Sequence, residues 1–363
     1  VLSNPLFNGV SDSNRVILGD ETGIGTIVND DAAAISIDNV SVVEGDGGVA
    51  NLDFTISSDV VASRDLDVRV NTADLVDAVG GTDYARIVAQ TAVISAGSMS
   101  TTLTVAVIGD TVIESNETLS VLLSSARFNG SADPLKVGFA DDTGTGTILD
   151  DDTTTISIDD VTMSEGNGGI TNFDFTLTST AFTDKDIGVT VNTADVLEAV
   201  GGTDYTAITN GTATIAAGSN TGTLRVSVIG ELVVELEEQF SVTISAPTFD
   251  GVAAPTRITI TDDYGLGTIN DDDVASISVA DVSVNEGNTG NTNLVFTISS
   301  DVAASREMDV TVDTADLGEA LMGTDYTAVS DLVATIAVGS TSTTVTVVVM
   351  GDQLVEIDDR FEF

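Results

Sequence analysis

The 363 residues carry 58 acidic and 11 basic side chains, a formal net charge of −47, yet 42% of them are hydrophobic and the mean hydropathy is positive. A disordered acidic tail would lack those apolar residues, and a field of this sign disfavours nucleic acid and anionic membrane surfaces as partners. With neither histidine nor cysteine in the chain, zinc and copper sites, thiol nucleophiles and histidine-based triads are excluded, and cations are the partners the charge favours.

No apolar run approaches the roughly 18 residues of a membrane span, and no signal-like segment opens the sequence. What organises it is a repeat. Glu44-Gly45 recurs as Glu165-Gly166 and Glu286-Gly287, at a spacing of 121 both times. Asp83-Tyr84, Asp204-Tyr205 and Asp325-Tyr326 keep that spacing, as do the GTI triplets beginning at Gly25, Gly146 and Gly267. An unbroken period marks stacked copies of one unit. Four segments are expected: 1–31, the closing part of a repeat; 32–152 and 153–273, two complete repeats; and 274–363, a repeat without its closing part. Both ends of the sequence align with the interior of a strand-like run, FSVTIS from Phe240 to Ser245. The register implies a window on a longer tandem array; a proteolytic boundary is one alternative, and strand exchange, in which residues 1–31 complete a neighbour's unfinished repeat, is another.

Within 153–273 the elements read in order as strands. TISIDDVTMSEG (155–166) alternates in short runs and ends in an acidic turn. TNFDFTLTS puts Phe173, Phe175 and Leu177 on one face against Asp174 and Thr176. ADVLEAVGG, Ala194 to Gly202, is expected to form a short helical turn in a loop. GTLRVSVIG sets Leu224, Val226 and Val228 against Arg225 and Ser227, and FSVTIS alternates Phe240, Val242 and Ile244 with Ser241 and Thr243. Period-two patterning in Val, Ile, Thr and Phe gives each strand one buried and one wet face. About seven such runs per repeat, separated by Gly, Asp and Asn turns, predict an all-β chain of tandem seven-stranded antiparallel sandwiches of immunoglobulin-like architecture in a linear array. No Gly/Ser or Pro linker separates the repeats, so stiff, short joints are expected.

Acidic columns recur at the ends of these runs. One is the glutamate of the EG turn; a second is the aspartate of GTDY. A third is the segment GDTVIESNE, GELVVELEE or GDQLVEIDD, and the fourth is the terminal cluster Asp150–Asp152 or Asp271–Asp273. Three adjacent carboxylates repel one another and have no strand propensity. Calcium takes about six to eight oxygen ligands in flexible geometry, which suits carboxylates arriving from several loops, whereas magnesium demands a tighter octahedron. Isolated acids such as Asp174 read instead as solvated charge, as does the column Asp20-Glu21, Asp141-Asp142 and Asp262-Asp263. Two basic columns, Arg15, Lys136, Arg257 and Arg64, Lys185, Arg306, are expected to make ordinary ion pairs within a repeat, with lateral contact to a neighbouring fibre strand as the alternative.

The motif order EG, GTDY, GD(x)3E(x)2E and GTI-x-(D/N)DD resembles the Calx-beta domain, found in sodium–calcium exchangers and in many large bacterial extracellular proteins, over essentially the whole chain. The resemblance implies calcium held at the distal loops and the C-terminal aspartates. Its implied ligands are Glu44, Asp83, Asp110, Glu114, Glu117, Asp150, Asp151 and Asp152 in 32–152. In 153–273 they are Glu165, Asp204, Glu231, Glu235, Glu238, Asp271, Asp272 and Asp273, with Glu231 standing where the preceding repeat has Asp110. In 274–363 they are Glu286, Asp325, Asp352, Glu356 and Asp359, a set that lacks its aspartate cluster unless Asp30 and Asp31 of a neighbouring copy close it.

The functional expectation is a calcium-binding extracellular structural repeat protein, such as a stalk, adhesin shaft or surface fibre, whose joints calcium stiffens. Its expected partners are calcium ions and neighbouring repeats head to tail, with lateral self-association into a fibre. A calcium-sensing regulatory module is the alternative. An enzyme is not expected: paired carboxylates can hydrolyse glycosides, but aromatics are 4% of the chain and tryptophan is absent, so nothing builds a sugar cleft.

Overall fold

A computed structural model describes all 363 residues, which form strands, turns and irregular chain without a single helix. No helix is therefore long and apolar enough to cross a membrane. The chain divides into two compact units, Val1–Asp110 with Ser115–Asp151, and Thr111–Glu114 with Asp152–Phe363.

In the first unit two sheets enclose one core. A four-stranded sheet runs in the order Val137–Phe139, Ala33–Ile37, Gly48–Ser58, Ser100–Gly109, and a five-stranded one Val40–Val43, Thr143–Leu149, Glu117–Phe128, Leu66–Asp74, Gln90–Ile94. The seven runs of the sequence become nine strands because the first and last each break and change sheet. Both breaks close the sandwich with parallel pairs, 137–139 on 33–35 and 146–149 on 40–43, within an otherwise antiparallel structure. Residues 12–32 form no strand, and a separate hairpin pairs Leu6–Phe7 with Val10–Ser11.

The second unit repeats the sandwich over 154–270, with sheets Thr221–Gly230, Gly169–Ser179, Thr154–Ile158, Ile258–Asp262 and Val161–Ser164, Tyr264–Asn270, Glu238–Phe249, Ile187–Leu197, Gly211–Ile215. The expected alternation holds in TNFDFTLTS, where Phe173, Phe175 and Leu177 are buried and Asp174 and Thr176 are not. Val226, Val228, Phe240, Val242 and Ile244 are buried as well, but Ser241, expected on the wet face, is buried too. At the centre the Phe240 ring stacks on Tyr205 at 4.6 Å and meets the edge of Phe175 at 6.0 Å. Beyond it, residues 274–363 contribute a three-stranded sheet, Ile277–Val279, Gly290–Ser300, Ser342–Gly351, and the pairs Met308–Val312 with Leu332–Ile336 and Ala315–Leu317 with Arg360–Glu362.

The helical turn expected at Ala194–Gly202 does not form. Ala194–Leu197 ends the strand Ile187–Leu197, in register with Ser241 and Phe240. The Asp195 carboxylate accepts bonds from the Tyr205 hydroxyl (2.6 Å) and the Gly201 amide (2.8 Å), which ties this stretch down, and Glu198 then turns with φ +55°. Neither arrangement is compatible with a helix. Asp174, expected as isolated solvated charge, sits opposite Arg225 across the strand pair and takes two bonds from it, at 2.7 and 2.8 Å.

The glycines of the second and third GTI triplets are fixed by packing. A Cβ at Gly267 would stand 2.3 Å from Phe240 Cζ, and one at Gly146 2.5 Å from Leu52 Cδ2. Substituting Gly267→Ala is expected to destabilise the second unit by about 1–3 kcal/mol, the range for overpacked cores. Urea unfolding monitored by tyrosine fluorescence measures it, and an unchanged midpoint would contradict the packing.

Candidate metal centre

Strand register brings the acidic columns to one end of each sandwich. In the second unit Ser164 pairs with Asn270 in a parallel ladder, so Glu165 and Asp271 leave the sheet side by side. Glu238 pairs antiparallel with Ile269, so the strand it opens enters where that one exits. Gly169 pairs with Gly230, which brings Glu231 to the same end. The EG turn is held there by close backbone approach: a Cβ at Gly230 would lie 2.0 Å from the Gly166 carbonyl oxygen, and Gly166 itself adopts φ +85°. Only glycine satisfies both positions without strain.

The result is a chain of three overlapping trios, each with carboxylate oxygens within 4.8 Å of one another: Glu165, Asp271 and Asp273; Glu165, Glu231 and Glu235; Asp204, Glu235 and Glu238. Glu165 and Glu235 each belong to two of them. Glu165, Asp204, Glu238 and Asp273 are buried. One oxygen of Glu238 and one of Asp273 have no hydrogen-bond partner at all. A buried charge without a partner is costly enough that the group protonates or binds a cation. Desolvation, followed by repulsion from the neighbouring carboxylates, pushes Glu165 up to about 8, Glu238 to about 8 and Glu231 to about 7. Desolvation also raises Asp204, against a bond from the Val200 amide that lowers it. Hard oxygen donors, several loops and two orphaned acceptors fit calcium.

Asp272 stands apart from these trios. It is exposed, and its Oδ1 accepts the Gly166 amide at 3.0 Å. Consecutive side chains of an extended chain point to opposite sides, so Asp271 and Asp273 face the cluster while Asp272 faces the EG turn. Asp273 Oδ1 also receives Asn167 Nδ2 at 2.6 Å.

The first unit shows the same plan. Oxygens of Glu44 and Asp150, and of Asp83 and Glu117, lie within 4.8 Å. Asp151 Oδ1 accepts the Gly45 amide at 3.0 Å as its counterpart does. Desolvation raises Asp83, with repulsion from exposed Asp110 adding to it. Glu114 and Asp152 fall within the second unit, where Asp152 is buried and the Glu114 carbonyl accepts a bond from Arg257 at 2.6 Å.

In 274–363, Glu286, Asp325, Asp352, Glu356 and Asp359 form no such trio, although desolvation and repulsion from the other four raise Glu356. Asp30 and Asp31 are exposed and join no cluster. The basic columns divide. Lys185 pairs with adjacent Asp184 and Arg15 with Asp12, but Arg306 pairs with Glu198, outside its own sequence repeat. The Asp262 column caps turns, Asp141 on Thr143 and Asp262 on Tyr264.

One recurring column went unread in the sequence. Asp74, Asp195 and Asp316 each accept the buried GTDY tyrosine hydroxyl, at 2.6, 2.6 and 2.7 Å, and so anchor the loop that carries Asp83, Asp204 or Asp325. Its spacing of 121 was the available signal. Burial first, and then the bond to the aspartate, pushes these tyrosines up to about 12.

Because Glu165, Glu231 and Glu238 hold protons more tightly in the fold than at their ordinary value of 4.5, the folded state takes up protons between that value and about 8. In chelator, the stability this contributes is present below about pH 4.5 and is lost as the pH rises through 7 to 8. Melting temperatures in chelator should therefore fall across that window, and a flat profile would contradict the crowding.

A Calx-beta domain model matches residues 29–152, 149–264 and 268–363. Among solved structures, the CBD12 pair from CALX1.2 is 16% identical, over 65% of this chain and 99% of that one, at a TM-score of 0.28. The apo form of the Calx CBD1 domain is 20% identical over 34% and 100% of the two chains, at 0.28. The calcium-binding domain CBD12 of CALX1.1 is 15% identical over 64% and 99%, also at 0.28. No curated protein matches the sequence. The assignment rests on the three tandem matches, which span nearly all of the sequence from residue 29 onward: the chain belongs to the Calx-beta domain family, whose members are calcium-binding modules.

Proposed function

We propose that the chain is a calcium-binding structural repeat protein of an extracellular stalk, adhesin shaft or surface fibre, in which calcium at the acidic loops stiffens the joints between repeats. The observation that supports this reading is the unbroken chain of carboxylates Glu165–Glu231–Glu235–Glu238 with Asp204, Asp271 and Asp273, whose overlapping trios could hold a cation at the loop that carries Val233-Val234. Between Glu231 and Glu235 lie Val233-Val234, which pair in parallel with Ala303-Ala304 of the following sequence repeat. The Ser305 amide adds a bond to the Val234 carbonyl at 2.9 Å, and Arg306 reaches back to Glu198. A cation that draws Glu231 and Glu235 together fixes the backbone of that short bridge. Without one, repulsion between the same carboxylates loosens it. The three copies of one period favour a mechanical role over a tuned sensor, and the net charge of −47 suits a calcium-rich medium.

Thermal melts of the chain in millimolar calcium, in chelator and in magnesium alone test the calcium mechanism. Calcium at ~100 times its dissociation constant adds roughly 2.7 kcal/mol per site, and magnesium should add far less. Three coincident curves would leave the aspartates as solvated charge.

Glu165→Gln separates crowding from binding. It removes a charge shared by two trios, so it should raise the melting temperature in chelator while weakening calcium binding measured by calorimetry. Asp272→Asn, outside the trios, should weaken binding less. Equal losses for both variants would mean that the trios are not the site.

A further inference from the structure

On the reading that the acidic end of the second sandwich holds calcium, we propose that Asn167 is a positioning residue for the ion. Its side-chain amide holds one oxygen of Asp273 and leaves the other to coordinate.

The EG turn and the terminal aspartates meet where a parallel ladder runs out. Val161–Ser164 pairs with Gly267–Asn270, and the Glu165 amide still reaches the Asn270 carbonyl at 3.3 Å. Beyond that point side chains take over from backbone. Asp272 Oδ1 accepts the Gly166 amide at 3.0 Å, and Asp273 Oδ1 accepts Nδ2 of Asn167 at 2.6 Å. Asp271 Oδ1 accepts the Asp273 amide at 3.0 Å. Consecutive residues of the turn, 166 and 167, thus grip consecutive residues of the cluster, 272 and 273.

The Asn167 bond lands on a carboxylate of the trios, Asp273, which is 8% exposed. A carboxylate free to turn presents either oxygen. Held at Oδ1, Asp273 presents Oδ2, the buried oxygen that has no partner. A ligand oriented in this way by a second group meets its ion with less reorganisation. A carboxylate accepts only from the nitrogen end of an amide, and that nitrogen has no lone pair to offer a cation. Asn167 therefore acts through Asp273. The turn itself makes no demand on the side chain at 167, because its positive φ angles fall on Gly166, Gly168 and Gly169 and not on Asn167. One period earlier the position is Asp46 and one period later Asn288; an ionised aspartate there has no N–H to donate.

Calorimetric titration of the 363-residue chain with calcium, as wild type, Asn167→Ala and Asn167→Asp, tests the assignment. Removing the hydrogen-bond partner of a metal ligand costs about 10–100-fold in affinity, so both variants should weaken one class of sites by that factor and leave the others as internal reference. The aspartate variant carries the decisive sign. Its added charge would tighten binding if residue 167 coordinated the ion itself, but it cannot donate to Asp273 and repels it. Terbium bound in place of calcium should gain water in Asn167→Ala, read from its luminescence lifetimes in light and heavy water, because Asp273 is then free to turn away. A cooperative melt in chelator shows that each variant is folded. Wild-type affinity in Asn167→Ala, or tighter binding in Asn167→Asp, would overturn the assignment alone. A wild-type chain that binds no calcium would overturn the calcium reading, and the assignment with it.

Discussion

Crowding of like charge at one end of a sandwich is the constraint on which the rest depends. The charges acting on Glu165, Glu231, Glu235 and Glu238 are other carboxylates, and they add to a desolvation that already disfavours ionisation. A fold can tolerate that only if protons or a metal ion offset it. Protons do so partly, at the cost of a stability that declines toward neutral pH. A divalent cation would offset more of it, and trios of these oxygens lie within 4.8 Å of one another. The hydrophobic sandwich, with Phe240 and Tyr205 stacked at its centre, supplies the stability that lets this end be held in a conformation unfavourable in the absence of a cation.

Register makes the crowding unavoidable. The parallel pairing of 161–164 with 267–270 and the antiparallel pairing of 238 with 269 bring three chain segments out of the sheet at one place, and the pairing of Gly169 with Gly230 brings a fourth. The EG turn cannot drift away, because Gly230 and Gly166 pack backbone against backbone. The GTDY loop cannot drift either, because Tyr205 is buried and its hydroxyl is bonded to Asp195. Rigid supports hold flexible-looking acidic loops, and preorganisation of this kind lowers the ordering cost of binding an ion.

Much of this was legible in the sequence. Alternation in TNFDFTLTS and FSVTIS identified the buried faces, since period two has one physical meaning, and the 121-residue period located the acidic columns. Three things were not legible. The change of sheet within the first and last runs depends on which edge is open, a tertiary fact. Ala194–Leu197 has helix-compatible residues but is claimed by the ladder to Ser241 and by Tyr205, so tertiary contacts override propensity. The separate fate of Asp272 is in principle readable, because alternation applies to an extended aspartate run as it does to a strand: Asp271 and Asp273 face the cluster and Asp272 the EG turn.

The same alternation links the metal end to the joint. In GELVVELEE the acids Glu231 and Glu235 flank Leu232 and two valines, and the valines carry the backbone bridge to Ala303-Ala304. Two valines have too little surface to hold repeats at a fixed angle, and a two-residue ladder contributes only a few hydrogen bonds, each worth about 0.5–1.5 kcal/mol net. Such a contact is strong only when its loop is already ordered. Ordering that loop means bringing Glu231 and Glu235 to neighbours that repel them, a cost that a cation turns into a gain. In the proposed function, the stiffness of the joint and the occupancy of the site would be linked through this one short segment, in which charge and apolar residues are interleaved.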